Sequence, residues 1–387
     1  MSLPAAAPRR TPDDETNLSA GVAAQGFAPV RAVFEAVLRS RPGFGAGLCV
    51  YVDGQPVVDL WGGTYRSNTL QVLFSATKGV TAVCAAILAQ RGLLDLDAPV
   101  AALWPEFAAN GKGAITPRMV LSHSAGLPAA DAPLSMFDHR SGGPAVDILA
   151  AQAPIWVPGT AHGYHGITYG TLMGEIVLRA TGRTVGQVLA DEVAVPLGLD
   201  LWIGLPEHIE PRVAPARSGP SSASLVVAAA ADARHDPSTV AARVSFASLD
   251  TGEFNQRALH EAELPAAGGI GSPRSLARMY AACMGAVDGV RLLDDATLAS
   301  ACEVQADGRD EVSVEENRFG LGFYLPFARL PMAGPTSFGH DGAGGALAFG
   351  DRASRMAFAF TTDLVPALLG ADPDVDVLVA AVMGCLA

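Results

Sequence analysis

The sequence lacks the features that would direct this protein to a membrane or to nucleic acid. Nowhere do apolar residues approach the run of roughly 18 that a membrane-spanning helix needs. Positive charge is in deficit, since 26 basic residues stand against 39 acidic ones and the net charge is −13 at pH 7. Because an acidic surface repels phosphate groups, we expect neither nucleic acid nor an anionic membrane as a partner.

We do not expect the N-terminal residues to act as a signal peptide. Asp13, Asp14 and Glu15 follow the first arginines at the place where a signal peptide would need its apolar stretch. We interpret residues 1–24 as a flexible arm and predict a cytoplasmic protein. Half of the 387 residues are hydrophobic, which is enough for a large core shared by two lobes.

Cysteine is sparse, and its spacing excludes two kinds of site. The five cysteines are an odd number, lie far apart and include no C-x-x-C pair. This pattern argues against a disulfide framework and against a zinc site, and none of the five lies in a recognisable nucleophile motif. We expect buried thiols, no metal site and no cofactor. The cysteines are Cys49, Cys84, Cys283, Cys302 and Cys385.

Lysine is the rarest charged residue, and its positions are informative. Only Lys78 and Lys112 occur, while the other 24 basic residues are arginine. Arginine cannot be deprotonated in a protein, whereas a desolvated lysine can. In a chain that otherwise uses arginine, Lys78 is therefore a candidate base. The alternative is that both lysines are surface residues without a role.

The pattern of apolar residues and turns predicts strands near both ends of the chain and mostly helix between them. A helix is predicted over 27–41, and Asp53-Gly54 between two β-rich runs predicts a hairpin. Thr116-Pro117 and Ser272-Pro273 are each typical of a helix start, and Gly268-Gly269 break the chain before the second. Further predicted helices are 75–91, 168–182, 185–195 and 372–386, and further strand-like runs are 319–327, 336–342, 346–351 and 356–364.

This order of elements predicts an α/β protein of the α+β type. An antiparallel sheet formed by both chain ends would be flanked by helices, with a mostly helical lobe inserted. We assign residues 25–80 and 270–387 to the α/β lobe and 81–269 to the helical lobe, with the active site between them. The Pro-, Ala- and Ser-rich stretch 205–262 is interpreted as helices and long loops, and its role stays open.

The first chemical motif is Ser75-Ala76-Thr77-Lys78, an S-x-x-K at the start of a predicted helix. Residues three apart on a helix share one face, so Lys78 can hydrogen-bond the Ser75 hydroxyl. A helix start also supplies unpaired backbone N–H groups. A serine needs such help, because its hydroxyl is a weak nucleophile at neutral pH. The alternative is a helix cap beside a solvated lysine.

Two more motifs follow along the chain. Tyr164-His165-Gly166 comes shortly after Trp156, and a tyrosine near Lys78 could pass the serine proton to a leaving group, as a phenolate or through the lysine. The glycine-rich segment 339–345 would let substrate approach a strand edge, where an N–H could help to hold an oxyanion. The alternatives are an ordinary half-buried tyrosine and a tight turn with a packing histidine.

In this order the three motifs resemble the serine β-lactamase and penicillin-binding fold. The stretches LLDLDAPVAALWPEF, ITPRMVLSHSAGLP, WVPGTAHGYHGITYGTLMGEIV and FGHDGAGGALAFGD look most like the family VIII carboxylesterases, which share that fold with class C β-lactamases. The resemblance runs from about residue 27 to the C-terminus. The G-x-S-x-G elbow of α/β-hydrolases is absent.

The resemblance implies a role for each motif. Ser75 would be the acylated nucleophile, with Lys78 and Tyr164 as the base pair. The oxyanion hole would consist of the N–H groups of Ser75 and Ala343. Substrate contacts are expected from His340, Asp341, Gly342, His165 and Trp156.

Two departures from that family bear on the substrate. Gly166 replaces the asparagine whose amide holds the acylamide of a β-lactam or peptide. His340, mostly neutral near its ordinary pKa of about 6.5, replaces a lysine, and the anionic Asp341 follows it. Both changes favour a neutral ester, and we expect a serine esterase acting on small, largely apolar acyl esters.

Several alternatives stay open at this stage. An amide hydrolase or an acyltransferase could use the same residues, and weak β-lactamase activity could persist beside ester hydrolysis. A non-catalytic binding module that kept the fold is a further alternative. The sequence leaves acyl chain length, alcohol preference, stereoselectivity and oligomeric state open, with a homo-oligomer among the alternatives.

Overall fold

A six-stranded antiparallel sheet built from both ends of the chain organises the structure. The computed structural model describes residues 18–218, 252–366 and 370–387. The strands, in chain order, are β1 (Ser19–Ala23), β2 (Ala46–Val52), β3 (Gln55–Gly62), β4 (Gln71–Val72), β5 (Leu201–Ile203), β6 (Arg217–Ser218), β7 (Gly269–Gly271), β8 (Ala306–Arg309), β9 (Glu316–Phe319), β10 (Ser337–Asp341), β11 (Leu347–Asp351), β12 (Met356–Thr362) and β13 (Leu364–Val365).

The strand order in the large sheet is β1-β3-β2-β12-β11-β10, and every neighbouring pair is antiparallel. A smaller sheet has the order β4-β7-β5, and β13-β6 and β8-β9 form two-stranded pairs. The predicted sheet from both chain ends is therefore confirmed. The hairpin at Asp53-Gly54 is confirmed too, because both residues have positive φ, +50° and +75°, as a tight hairpin turn requires.

The helices fall mainly between the two groups of large-sheet strands. In chain order they are α1 (Ala28–Ser40), α2 (Thr77–Gln90), α3 (Pro117–Leu121), α4 (Ala145–Ala151), α5 (Thr168–Thr181), α6 (Val185–Leu189), α7 (Val195–Leu197), α8 (Arg257–Glu261), α9 (Pro273–Met284), α10 (Asp295–Ala301) and α11 (Val375–Leu386). A π turn (Ala190–Ala194) joins α6 to α7. The Thr116 and Ser272 side chains cap α3 and α9 as predicted, by accepting the N–H groups of Met119 and Ser275.

Residues alternate across the large sheet and divide the core into two layers. On β12, Phe358 and Phe360 point to the layer formed with α1 and α11. Ala357 and Ala359 point to the opposite layer, where α9 packs against the sheet. The period of two is that of a strand buried on both faces, and the small residues let α9 lie close to the sheet.

The predicted N-terminal arm is wrong for its last residues. Residues 1–17 lie outside the described part of the chain, but Ser19–Ala23 form β1 on the edge of the large sheet. The Ser19 hydroxyl donates to Glu35 over 2.8 Å, and Arg31 donates to the Ser19 hydroxyl and to Gly21 O. These contacts with α1 are long-range, and the short run SAGVA carries no strand signal of its own.

Two other predictions needed correction. Gly268-Gly269 do not simply break the chain, because Gly269–Gly271 form the central strand of the small sheet. The strand predicted over 319–327 ends at Phe319, and Gly322, with φ +81°, turns the chain after it. Within 205–262 the described residues form two 3₁₀ helices, Glu207–Arg212 and Glu253–Asn255, together with β6 and α8, while 219–251 lie outside the described part. No described helix is both long and apolar enough to cross a membrane.

Candidate active site

Ser75 lies at the start of α2, in a turn whose backbone is unusual. The chain leaves β4 and enters a single 3₁₀ turn, Phe74–Ala76, that runs directly into the helix. Phe74 has φ +48°, a left-handed conformation that is rare for a non-glycine residue and is found at functional sites. Its buried ring packs against Phe254, with centroids 4.4 Å apart, and this packing holds the turn. The Ser75 side chain remains partly exposed.

Lys78 is fully buried with its amine beside the serine. Its Nζ lies 3.0 Å from Ser75 Oγ and 3.1 Å from the carbonyl oxygen of Ala266. Burial lowers the pKa of Lys78 to about 7, although the negative charge of Asp341 acts in the opposite direction. An amine with this pKa is largely neutral in mildly alkaline solution and can accept a proton. The solvated lysine considered from the sequence is therefore wrong.

The second lysine is buried as well. Lys112 Nζ donates to the carbonyl oxygens of Ala109 and Gln152, and burial lowers its pKa too. Neither lysine is the surface residue that the alternative interpretation assumed. Lys112 contacts main-chain oxygens and no nucleophile, so that its role is structural and Lys78 remains the candidate base.

Tyr164 reaches the serine from the loop that precedes α5. The loop over 152–167 contains no helix or strand, and the Tyr164 side chain is half-buried. Its hydroxyl is a hydrogen-bonding partner of Ser75, and burial raises the pKa of Tyr164 well above its ordinary value. The Lys78 amine lies 4.8 Å from the centre of the Tyr164 ring. The structure thus places the two predicted members of the base pair on the same serine.

The glycine-rich motif packs directly against the turn that carries Ser75. A Cβ at position 342 would lie 2.2 Å from the Leu73 carbonyl oxygen, and one at position 344 would lie 2.4 Å from the Phe74 ring. Only glycine fits at either position without displacing the nucleophile turn. Ala343, the expected second oxyanion donor, lies between these two glycines. The close packing thereby holds its main chain beside the turn of Ser75.

His340 is buried next to these residues and is neutral. Its Nδ1 lies 2.7 Å from the carbonyl oxygen of Asp341 and so must carry the ring proton. Burial and the nearby Lys78 lower the pKa of His340 to about 3. The ring lies 6.1 Å from that of Tyr164, between centroids. The sequence-based expectation of a neutral histidine at this motif agrees with this environment.

Asp341 is the anion that the sequence predicted, and it is paired within the protein. Its Oδ2 accepts hydrogen bonds from Arg329 Nη1 over 2.7 Å and from the Ala371 N–H over 3.1 Å. Although burial opposes ionisation, Arg329 holds the pKa of Asp341 below its ordinary value. The carboxylate is therefore charged but paired inside the protein. Arg329 itself also contacts Glu315, so the group is a small ion-pair network.

His165 and Trp156 pack within the protein, where we expected substrate contacts. His165 Nδ1 lies 2.6 Å from Gly163 O, and its Nε2 accepts the Leu127 N–H over 2.9 Å. Both ring nitrogens are thus occupied, and burial lowers the pKa of His165 to about 4. Trp156 donates to Ser124 O over 3.3 Å, and its ring lies 6.0 Å from that of His165. Both residues belong to the loop that carries Tyr164, and these contacts join that loop to residues 124 and 127.

Three contributors to this site were not predicted from the sequence. Ala266 acts through its carbonyl oxygen, which leaves no trace in side-chain patterns. Arg329 lies in no motif, and His123, in the stretch SHSAGL, has a ring 5.1 Å from that of Tyr164. Among the described residues, no group of three or more His, Cys, Asp and Glu side chains is arranged to hold a metal ion.

Comparison with known proteins agrees with this geometry. The sequence profile described as Beta-lactamase matches residues 30–381. Esterase/beta-lactamase LipL of Mycobacterium tuberculosis (strain ATCC 25618 / H37Rv) is 34% identical over 360 residues, which cover 88% of this chain and 81% of LipL.

Solved structures give the same result. A family VIII carboxylesterase is similar with a TM-score of 0.84 and 34% identity, over 95% of this chain and 99% of that protein. EstA from Arthrobacter nitroguajacolicus Rue61a is similar with a TM-score of 0.86 and 32% identity, over 94% of this chain and 98% of EstA. The predicted fold and family resemblance are confirmed, and the chain belongs to the Beta-lactamase family.

Proposed function

We propose that this protein is a serine carboxylesterase that hydrolyses small, largely apolar acyl esters through an acyl-enzyme on Ser75. The observation that carries the proposal is the buried Lys78 amine, 3.0 Å from the Ser75 oxygen and with a pKa lowered to about 7. A neutral amine at this distance can take the serine proton as the oxygen attacks. The family and the similarity to named carboxylesterases support the same reaction class.

The first half of the reaction forms the acyl-enzyme. Ser75 Oγ bonds to the ester carbonyl carbon while its proton passes to Lys78. The carbonyl oxygen becomes an oxyanion, which the N–H groups of Ser75 and Ala343 would stabilise. The carbon–oxygen bond of the leaving alcohol then breaks, and the alcohol takes the proton from the Lys78 ammonium by way of the Tyr164 hydroxyl.

The second half releases the acid by the same steps with water in place of serine. Water gives its proton to Lys78 as it attacks the acyl carbon, and Ser75 Oγ recovers that proton when it departs. Tyr164 acts in both halves as a neutral phenol, because burial raises its pKa. This environment favours proton transfer through the lysine over the phenolate that the sequence also allowed.

The surroundings of the site support a neutral ester as substrate. Gly166 offers no side-chain amide for an acylamide group, and the neutral His340 provides no cation for a substrate carboxylate. The Asp341 charge is compensated by Arg329, so the preference rests on these missing contacts more than on repulsion. A cytoplasmic location and the absence of a membrane or nucleic-acid partner stay predictions from the sequence.

One relative favours a second candidate activity. LipL carries both esterase and beta-lactamase in its name, and it is similar over most of this chain. We therefore retain weak β-lactamase activity as the second candidate. Two further alternatives would use the same acyl-enzyme. In amide hydrolysis it would form from an amide, and in acyl transfer an alcohol or amine would take the acyl group in place of water.

Replacing the nucleophile should abolish ester hydrolysis. Ser75→Ala removes the attacking oxygen, and we expect kcat/KM for p-nitrophenyl butyrate to fall by at least ~10³-fold. Labelling by a fluorophosphonate probe should be lost as well. Ser300→Ala, at a half-buried helical serine on α10, is the matched control and should keep both properties. Full activity in a folded Ser75→Ala protein would contradict the assignment.

The rate should depend on pH through Lys78. Because its lowered pKa is about 7, the neutral amine predominates above pH 7 and its fraction declines below that value. We expect kcat/KM to fall about tenfold per pH unit on the acid side and to level off on the alkaline side. Burial lowers the pKa of His340 and His165 to about 3 and 4, so neither produces this limb. A profile that is flat around pH 7 would contradict Lys78 as the base.

The enzyme should prefer esters to β-lactams. Each missing charged or amide contact is worth ~10- to 100-fold, so kcat/KM for p-nitrophenyl butyrate should exceed that for nitrocefin by at least ~100-fold. A series of p-nitrophenyl esters from acetate upward, measured in parallel, would define the acyl chain length. Comparable turnover of nitrocefin and esters would instead favour the β-lactamase candidate.

A further inference from the structure

Three consecutive backbone N–H groups around Tyr164 are held by two residues from distant parts of the chain. The Gly163 N–H donates to His123 O over 3.0 Å, and the His165 N–H donates to His123 Nδ1 over 3.0 Å. Between them, the Tyr164 N–H donates to Asp310 Oδ1 over 3.1 Å. These acceptors replace the regular hydrogen bonding that the irregular loop lacks.

His123 is built to serve both sides of the tyrosine. It lies just beyond the end of α3, its side chain is completely buried, and its φ of +59° is in the left-handed region. Non-glycine residues seldom adopt this conformation, and those that do cluster at functional sites. The carbonyl oxygen and the ring of this one residue accept the peptide N–H groups directly before and directly after Tyr164.

The chemistry of the imidazole restricts it to one form. Nδ1 accepts an N–H, so it carries no proton, and the neutral ring has its hydrogen on Nε2. Burial, with the nearby His165 and Lys78, keeps the pKa of His123 well below its ordinary value. In the described part of the chain Nε2 has no hydrogen-bond partner, so Nδ1 is the ring atom that holds the loop.

We propose that His123 is a positioning residue for Tyr164, which it holds at Ser75 by accepting the flanking peptide N–H groups through its carbonyl oxygen and Nδ1. The proposal rests on the function proposed above, in which Tyr164 carries the proton between Lys78 and the leaving group. The ring centroids of His123 and Tyr164 lie 5.1 Å apart, so the same side chain also contacts the tyrosine directly. His123 therefore acts through Tyr164, and its loss should slow proton transfer while leaving substrate binding intact.

A pair of amide substitutions tests the role of Nδ1. In His123→Asn the side-chain oxygen can occupy the position of Nδ1, and asparagine tolerates a left-handed backbone. In His123→Gln the amide lies one carbon further out, at the position of Nε2, and the acceptor for His165 is lost. We expect His123→Gln to lower kcat for p-nitrophenyl butyrate by ~10- to 100-fold through displacement of Tyr164. KM should stay within about twofold, and His123→Asn should retain kcat within about threefold of the unmodified protein.

A double-mutant cycle separates positioning from a general effect on the fold. Tyr164→Phe removes the hydroxyl that His123 is proposed to position, so His123→Gln should have no further effect on kcat in that background. Additive losses in the double variant would overturn the proposal. An unchanged kcat in His123→Gln would also overturn it. A folded His123→Asn protein with a kcat as low as that of His123→Gln would have the same consequence.

Two controls keep the outcomes distinct. Thermal unfolding of each variant identifies proteins that do not fold. If His123→Gln does not fold, the proposal is tested with the folded His123→Asn protein alone. A kcat of that protein as low as the kcat of Tyr164→Phe would overturn the proposal. Full activity of Tyr164→Phe would instead contradict the proposed function, because the tyrosine would then not carry the proton. Loss of activity in Tyr164→Phe, together with retained activity in His123→Asn, supports both the proposed function and the role of His123.

Discussion

The burial of a single amine against the start of α2 is the constraint on which the rest of the site depends. The segment that leads into β7, together with the first residue of that strand, covers this helix turn. Pro265 O accepts the Thr81 hydroxyl over 2.7 Å, and the Gly269 N–H donates to Thr77 Oγ1 over 2.9 Å. Lys78 is thereby enclosed, with Ala266 O and Ser75 as its partners. Desolvation disfavours its ammonium form, and a residue that would otherwise be a permanent cation becomes a base.

The remaining elements bring groups to that amine from independent directions. The large sheet ends at β10, and the glycine turn after it packs against the turn of Ser75 so closely that residues 342 and 344 can carry no side chain. The loop before α5 contributes Tyr164. Asp310 accepts the N–H of Tyr164, and His123 accepts the N–H groups of the residues on either side of it. Ser75 and Lys78 share one helix turn, so the three segments are this turn with nucleophile and base, the glycine turn after β10 and the loop that carries the relay Tyr164.

How much of this could be predicted from the sequence depended on the range of the interactions. Ser75 and Lys78 are only three residues apart, and their spacing correctly predicted the hydrogen bond between them. The hairpin at Asp53-Gly54 is also local and was predicted correctly from its turn residues. The negative charge of Asp341 was predicted, but its pairing with Arg329 was not, because Arg329 lies in an irregular segment with no motif. The two hydrogen bonds of the His165 ring could not be predicted from the sequence either, because their acceptor and donor are backbone groups. Edge strand β1 likewise depends on contacts with α1 that no local pattern encodes.

The scarcity of lysine makes the central claim directly measurable. A protein grown with ¹³Cε-lysine contains only two labelled side chains, Lys78 and Lys112, and the Lys78→Met variant identifies the signal of each. Titration followed by NMR would then report the protonation of the Lys78 amine itself. We expect a Lys78 signal that titrates near pH 7. A Lys78 amine that remains protonated up to its ordinary pKa of about 10.4 would contradict it.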